Sequence, residues 1–224
     1  MSKIKQILAI FSVLCLLASF SITCFAATAR TPKANGQNKS LWCWATAAKV
    51  VGEHNGGSWI STTPVVLSNT TGLHSYGGTP YYGIDSNGNI TADGVQRNIV
   101  VYIFGDDGNN SGNDSNKESA LSRAAYSSVS VGTFGTHKNA LTSSQIQTVK
   151  NNLANGDYLI GNFNASGFGS HSVVIKSYNS STDKYQILDP WDLTDTTYSS
   201  SVFTSETFPI AGCYGRISWI QYCN

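Results

Sequence analysis

The sequence predicts an α+β fold, in which a helical N-terminal half packs against an antiparallel, β-rich C-terminal half. Apolar residues recur at helical spacing over 41–51, whereas short apolar runs separated by turn residues occupy the chain after residue 157. Asn, Ser, Thr and Gly are abundant, but eleven Tyr, nine Phe and five Trp favour a packed core over disorder.

The first 26 residues have the three parts of a secretory signal peptide. Lys3 and Lys5 precede a strongly apolar run over 7–20, and small residues follow at 24–27. An uncleaved membrane anchor is the alternative, because the apolar run is nearly long enough to span a bilayer. Since Ser and Thr dilute the far end of the run, we predict cleavage of 1–26, secretion, and a single domain over 27–224.

The charge balance argues against several classes of partner. The formal net charge is +1, and it falls to about −1 when Lys3 and Lys5 leave with the signal peptide. This chain has no basic excess to hold nucleic acid, and no later stretch suited to cross a membrane. We expect a monomer whose partner is a protein or peptide substrate.

The cysteine count of the mature chain is odd. Cys43, Cys213 and Cys223 remain after signal cleavage, so one thiol is left over in a secreted protein. Cys213 and Cys223 lie close in sequence, and we expect a disulfide between them across neighbouring strands. Cys43 would then keep its thiol in an oxidising compartment, where such a thiol is more often reactive than structural; a buried, inert cysteine is the alternative.

The first helix is predicted around Cys43. The segment 41–51, LWCWATAAKVV, has helical spacing, with Ser40 as a suitable N-cap and the turn at 55–57 as a stop signal. Cys43 therefore falls in the first helical turn. There, unpaired backbone N–H groups and the positive end of the helix dipole lower the pKa of a thiol.

The middle of the chain is rich in turns. A hairpin is expected over 81–91, closed by Asn87-Gly88. A second helix is expected to begin at Asp93, although 99–104 has the composition of a strand.

A polar segment follows with the spacing of a calcium loop. Its ligand positions fall on Asp107, Asn109, Ser111, Asn113 and Glu118. Gly112 stands at the sixth position, where such loops need a glycine. Against calcium, Asp114 occupies a position that is usually apolar, and the composition of 99–104 predicts a strand before the loop; an ordinary polar surface loop is the alternative.

The C-terminal half has clearer element boundaries. An amphipathic helix is predicted over 143–153, ended by Asn155-Gly156. Short apolar runs then predict an antiparallel sheet. The predicted strands are 158–163, 172–178, 185–188, 202–208 and 214–222.

A base for the Cys43 thiol is predicted at His171. A thiol nucleophile needs a neighbouring base, and that base needs a group that orients it. His54 lies just beyond the first helix, and His74 and His137 lie in polar loops, whereas His171 follows a glycine-rich turn and opens an apolar strand. Any one histidine taken alone is more often an ordinary surface or core residue.

An acid that could orient this base closes the next predicted strand. The carboxylate of Asp189 could accept the second imidazole N–H of His171, which fixes the tautomer and stabilises the imidazolium. Trp191 could lie over that hydrogen bond and exclude water. Taken alone, Asp189-Pro190-Trp191 would be only a turn with a core aromatic residue.

Together these residues resemble papain-like cysteine peptidases. In that family a Gln lies six residues before the nucleophile, a Trp follows the nucleophile, the His opens an apolar strand, and a Trp lies two residues after the third catalytic member. The matching residues here are Gln37, Cys43, Trp44, His171, Val173, Tyr178, Asp189 and Trp191. His171 follows Cys43 by 128 residues and Asp189 by 146, near the roughly 130–150 expected of papain-like enzymes.

The resemblance implies a papain-like fold and peptide-bond cleavage. Cys43 would be the nucleophile, His171 the base and Asp189 the third member, while the Gln37 side chain and the Cys43 N–H hold the oxyanion. Trp44 and Trp191 would support substrate and triad, and no cofactor or metal is required. The short chain, the Trp-Cys-Trp-Ala motif and Asp in the third place are most similar to the bacterial avirulence-protease branch.

Two other functions are compatible with the same residues. A cell-wall peptide amidase or an acyl transferase would keep the triad and change the substrate or the acceptor. A non-catalytic secreted binding or toxin-like domain would carry the triad incidentally.

Overall fold

The computed structural model describes the predicted site and most of the C-terminal half. The described residues are 36–55, 96–97, 99–100, 103–104, 108–121, 131–165, 169–206, 208–210 and 213–223. The predicted signal peptide, the hairpin at 81–91 and the helix start at Asp93 lie outside them. Across these ranges, no helix combines the length and apolar character needed to cross a membrane.

Within the described residues, three α-helices have both ends defined. They are α1 (Cys43–His54), α2 (Asp114–Ser119) and α3 (Ser143–Ala154). The α3 prediction is confirmed: Thr142 and Gln145 form a capping box at its start, and Gly156 ends it with a φ of +93°, which glycine tolerates.

The predicted N-cap of α1 is wrong. Trp42 occupies the cap position, and no side chain caps the helix there. Ser40 instead accepts a hydrogen bond through its Oγ from Asn109 Nδ2 at 2.8 Å. The hydroxyl of Ser40 therefore anchors a distant loop rather than the helix.

Seven strands form one sheet in which every neighbouring pair is antiparallel. The strands are β1 (Val131–Gly135), β2 (Leu159–Ala165), β3 (Gly169–Asn179), β4 (Lys184–Asp189), β5 (Thr194–Ser199), β6 (Phe208–Ile210) and β7 (Cys213–Cys223). Their order is β1-β7-β2-β3-β4-β5, and β6 pairs with the start of β7. Helices packed against an antiparallel sheet confirm the α+β class, and a papain-like arrangement of these elements stays a prediction.

The core divides between the two faces of the sheet. Because strand side chains alternate between faces, Ile160, Val174 and Leu188 pack in the apolar cluster that contains α1. Their neighbours in sequence, among them Leu159 and Ile187, belong to a second cluster that contains the apolar side of α3. The sheet is thus covered on both faces, and α1 packs directly on β2 and β3.

Two predicted strands are wrong. Most of 202–208 is not a strand, because a 3₁₀ helix spans Ser200–Phe203 and only Phe208 enters β6. In the segment 99–104, the described residues are helical: Ile99, Val100, Ile103 and Phe104. Short apolar runs do not distinguish a buried helix from a buried strand, which accounts for both errors.

The predicted disulfide between Cys213 and Cys223 is also wrong. The two residues lie at opposite ends of the single strand β7, and no disulfide joins them. A strand rises about 3.3 Å per residue, so their Cα atoms are roughly 30 Å apart, whereas a disulfide needs about 4.4–6.8 Å. One continuous strand replaces the two neighbouring strands that the prediction assumed.

Candidate active site

Cys43 is the first residue of α1 and is partly exposed. Its side chain is hydrogen-bonded to the imidazole of His171, and the backbone N–H of Ser172 also donates to it. The packing of α1 on β2 and β3 brings the start of the helix to these two residues of β3. The thiol therefore meets a potential base and a backbone donor at one point.

His171 links Cys43 to Asp189. It is buried, and its Nε2 lies 2.8 Å from Asp189 Oδ1. β3 and β4 are antiparallel neighbours, so His171 near the start of β3 lies beside Asp189 at the end of β4. The same Oδ1 accepts the backbone N–H of Trp191 at 2.9 Å, which fixes the carboxylate.

The charges at this site favour a thiolate–imidazolium pair. Burial alone would raise the pKa of Cys43, but the charge and hydrogen bond of His171, the Ser172 N–H and the charge of Lys117 lower it overall. Burial alone would lower the pKa of His171, but Cys43 and Asp189 raise it to about 10. Each member of the pair thus offsets the desolvation of the other.

The segment before α1 is tied to the same turn as Asp189. The backbone N–H of Gln37 donates to Pro190 O at 2.8 Å, and the Gln37 side chain is buried. Its Nε2 donates to Lys39 O at 3.1 Å and to Ser40 O at 2.9 Å. The predicted oxyanion donor is therefore held beside the triad, with both of its hydrogens directed at backbone carbonyls.

A buried glutamine that the sequence analysis missed positions this segment. Gln96 donates through Nε2 to Gly36 O at 2.9 Å, and its Oε1 accepts from Asn38 N at 3.3 Å. The same Oε1 accepts from Thr46 Oγ1 of α1 at 2.9 Å. Gln96 thus joins the Gln37 segment to α1, although a lone Gln in a turn-rich region gives no sequence signal of this role.

The two tryptophans predicted to support the site are buried. Trp44 donates through Nε1 to Asn110 O at 3.1 Å, and its indole lies directly against Gly112. Trp191 follows Asp189 in the turn and is 8% exposed. The Trp44 ring therefore joins the start of α1 to the loop before α2.

The other histidines have different surroundings. His54 is 2.8 Å from Gly156 O and stacks on Tyr158. His137 pairs with Asp114 at 2.7 Å. His74 lies outside the described residues. Of the three described histidines, His171 is the one hydrogen-bonded to Cys43.

The predicted calcium loop has other contacts in the structure. Asn109 Oδ1 accepts from Leu41 N at 2.9 Å, and Asn113 caps α2. Asp107 lies outside the described residues, Ser111 lies in the loop before α2 and Glu118 lies within α2. Among the described residues no group of three or more His, Cys, Asp or Glu side chains could hold a metal ion. Calcium binding stays a prediction. The side-chain oxygens of two of its predicted ligands, Asn109 and Asn113, already accept hydrogen bonds from backbone N–H groups.

The family of the chain follows from a comparison with protein-family models. The model described as the Peptidase_C39 like family matches residues 31–218. The chain belongs to this family. Among curated proteins, none matches the chain. The family supports a cysteine peptidase, a hydrolase, of the papain-like superfamily.

A cavity lies at the start of β3, and Cys43, His171 and Asp189 are not among the residues that line it. Its volume is about 860 Å³, and Gly169 and Ser170, which directly precede His171, contribute to its lining. Gly112 and Lys117 contribute from the region of α2. Charged residues of both signs line much of the remainder.

The sequence analysis also missed a buried polar pair in this peptidase, Lys117 and Asn162. Lys117 and Asn162 are both buried, and Lys117 Nζ donates to Asn162 Oδ1. A lysine in the polar stretch 114–119 looks like an ordinary solvent-facing residue. The two asparagines of the mainly apolar β2, Asn162 and Asn164, were the one available signal.

Proposed function

We propose that this protein is a secreted cysteine endopeptidase that cleaves peptide bonds through a thioester on Cys43. The continuous hydrogen-bonded series from Cys43 through His171 to Asp189 carries this proposal. It supplies an activated nucleophile, a proton donor and an orienting carboxylate, which are the groups that acyl transfer needs.

In the first half of the reaction, the Cys43 thiolate attacks the carbonyl carbon of the substrate. A C–S bond forms, and the carbonyl electron pair moves to oxygen. The oxyanion is stabilised by the Cys43 N–H, which has no intrahelical acceptor at the start of α1, and by Gln37 Nε2. His171 then donates its proton to the leaving amine, the C–N bond breaks, and a thioester remains.

In the second half, water hydrolyses the thioester. Neutral His171 takes a proton from water as the oxygen attacks the carbonyl carbon. The C–S bond then breaks, which releases the carboxylic acid and restores the thiolate beside the imidazolium. Asp189 keeps the imidazole in one orientation through both halves.

The oxyanion role of Gln37 requires a change in its hydrogen bonds. Nε2 donates to the carbonyls of Lys39 and Ser40 before substrate binds. On formation of the oxyanion, one of these hydrogens turns to the negative oxygen, since a charged acceptor forms the stronger bond.

The remaining features of the proposal come from the sequence. Secretion of 27–224 after removal of 1–26, a monomeric state and a protein or peptide substrate are proposed on the grounds given above. The Trp42-Cys43-Trp44-Ala45 motif and Asp189 support a place near the avirulence-protease branch.

The test uses purified residues 27–224 with unfolded casein as substrate, and reads the fragments by mass spectrometry. We expect new peptide termini from the wild type and none from Cys43→Ala. Cys223→Ala removes a thiol at the far end of β7 and should still yield the fragments.

Parallel reactions distinguish the other functions. Cleavage of isolated cell-wall peptides without cleavage of casein would replace the peptidase by an amidase. Products that carry added glycinamide in place of water would indicate an acyl transferase. If no substrate gives product and no acyl group is found on Cys43, the protein is a non-catalytic domain.

A further inference from the structure

A buried lysine lies beside the active site and has no part in the triad. Lys117 in α2 is 2% exposed. Its Nζ donates to Asn162 Oδ1 and, at 3.4 Å, to Asp114 Oδ1, and it lies 5.3 Å from the centre of the Trp219 ring. The ammonium is thus held by a carboxylate, an amide and an aromatic face.

The Lys117 ammonium is connected to Cys43 through hydrogen bonds of Asn162 and Ser172. Ser172, Asn162 and Trp219 are register partners on β3, β2 and β7. Ser172 Oγ donates to Asn162 Oδ1 at 3.4 Å, the same oxygen that Lys117 contacts. The backbone N–H of Ser172 donates to Cys43. Lys117 and Cys43 are therefore joined through two neighbouring strands.

The charged groups around Lys117 come from four elements. Asp114 lies on its own helix, and His137, after β1, bonds Asp114 Oδ2 at 2.7 Å. Cys43 faces it from α1 and His171 lies next to Ser172 on β3. Burial lowers the pKa of Lys117, while the negative charges of Asp114 and Cys43 oppose that effect.

A purely structural role does not account for a charge at this position. Burial of an ammonium is unfavourable, and replacing a whole buried charged group by apolar side chains is often neutral or stabilising, whereas removal of one partner alone destabilises. Met at 117 could pack on Trp219, and Asp114, with a side chain 38% exposed, would remain solvated. The charge therefore needs a reason beyond packing.

We propose that Lys117 is a positioning residue of the active site, whose buried ammonium supplies a fixed positive charge to the Cys43 thiolate and orders Ser172 through Asn162. This inference rests on the proposed function, because it concerns the same nucleophile. The charge acts in water-poor surroundings, where it is screened little by salt.

The experiment measures iodoacetamide labelling of Cys43 by intact mass from pH 5 to 10, together with thermal unfolding. For Lys117→Met we expect labelling at pH 6 to fall about three- to tenfold, since one pKa unit of the thiol is tenfold in thiolate. Thermal stability should also fall, because the buried Asn162 Oδ1 keeps only its 3.4 Å bond from Ser172 Oγ, so labelling is compared at a temperature where both proteins are folded. Lys117→Arg, which keeps the charge, should recover part of the rate. Lys184→Met removes an exposed lysine on β4 and should match wild type.

The role of Lys117 and the role of the triad are tested by different variants. Wild-type labelling that collapses in His171→Ala supports the triad, and unchanged labelling in Lys117→Met then overturns only the role of Lys117. If Lys117→Met does not fold, Lys117→Gln decides, because its amide keeps a donor for Asn162 Oδ1 but carries no charge. Labelling at pH 6 slower than wild type supports the inference, and labelling at the wild-type rate overturns it.

Discussion

At the scale of single residues, the site depends on the partly exposed Cys43 and the buried His171, both of which desolvation alone would neutralise. Desolvation acts against both the Cys43 thiolate and the His171 imidazolium, yet the pKa of Cys43 is lowered and that of His171 is raised. The charges and hydrogen bonds of all their neighbours together therefore exceed the desolvation effect. Asp189 contributes to the same balance through its hydrogen bond to Nε2.

Asp189→Ala should lower kcat/KM for peptide cleavage by about 10²- to 10⁴-fold, by analogy with the orienting carboxylate of serine peptidases. The physical reason is loss of both the fixed imidazole orientation and the negative charge that stabilises imidazolium. The measurement is the steady-state rate on a casein-derived fluorogenic peptide.

Asp195→Asn is the matched control for this carboxylate. Asp195 lies on the exposed strand β5 and pairs with Lys176 at 2.9 Å rather than with His171, so its loss should change the rate less than about twofold, as for exposed ion pairs. A full rate in Asp189→Ala would show that the carboxylate has no part in the chemistry.

At the scale of elements, a glycine sets the position of α1. A Cβ built on Gly112 would lie 2.3 Å from Trp44 Cδ2. Trp44 follows Cys43 on α1 and is also held by its bond to Asn110 O. The loop before α2 therefore fits flat against the indole, and both contacts fix the helix start.

Gly112→Ala should destabilise the protein by about 1–3 kcal/mol, the usual effect of overpacking, and should slow Cys43 labelling because the indole has to move. Urea unfolding gives the first quantity and intact mass the second. Ser111→Ala, at an exposed neighbouring position, should change neither. Wild-type stability in Gly112→Ala would mean that Trp44 does not rest on this glycine.

The continuity of β7 predicts that Cys213 and Cys223 are not joined by a disulfide. Cys213 and Cys223 should appear in separate, unlinked peptides after a tryptic digest without reductant, because trypsin cuts after Arg216 between them and one strand holds them apart. Recovery of a linked pair would contradict the continuous strand.

The elements that could be predicted from sequence have strong local signals. α3 has a capping box and a terminal glycine, and β3 and β7 have long apolar patterns. β5 was missed because its sequence, TDTTYS, is almost entirely exposed and is held by pairing to β4. The 3₁₀ helix at Ser200–Phe203 was taken for a strand because Val202 and Phe203 are buried in either conformation.

The same limit applies to the candidate site. Cys43, His171 and Asp189 were predicted because their spacing and flanking residues resemble a known peptidase pattern. Lys117 and Gln96 were not, since their roles arise from contacts with residues 45 and 50 positions or more away. Such long-range contacts leave no trace in local composition.

At the scale of the whole molecule, the site exists only where the two halves meet. Cys43 comes from the N-terminal helix, while His171 and Asp189 come from adjacent strands of the sheet. The bond from Gln37 N to Pro190 O joins the chain before α1 to the turn after Asp189. Reactivity of Cys43 therefore reports on the docking of both halves as well as on the pair itself.

The most direct test of this account is the rate of Cys43 alkylation against pH, measured by intact mass on residues 27–224 with and without His171→Ala. An ordinary thiol with a pKa near 8.5 is less than about 1% ionised at pH 6. The lowered pKa of Cys43 predicts rapid labelling at pH 6. Peptide cleavage should persist to alkaline pH and fall near pH 10, where His171 loses the proton that it donates.

In His171→Ala, labelling at pH 6 should fall about a hundredfold, because burial without the imidazolium returns the thiol to its neutral form. His54→Ala, at the exposed end of α1, should label like wild type. If wild-type labelling instead requires a pH above about 8.5 and is the same in His171→Ala, Cys43 is an ordinary thiol and the peptidase account is contradicted.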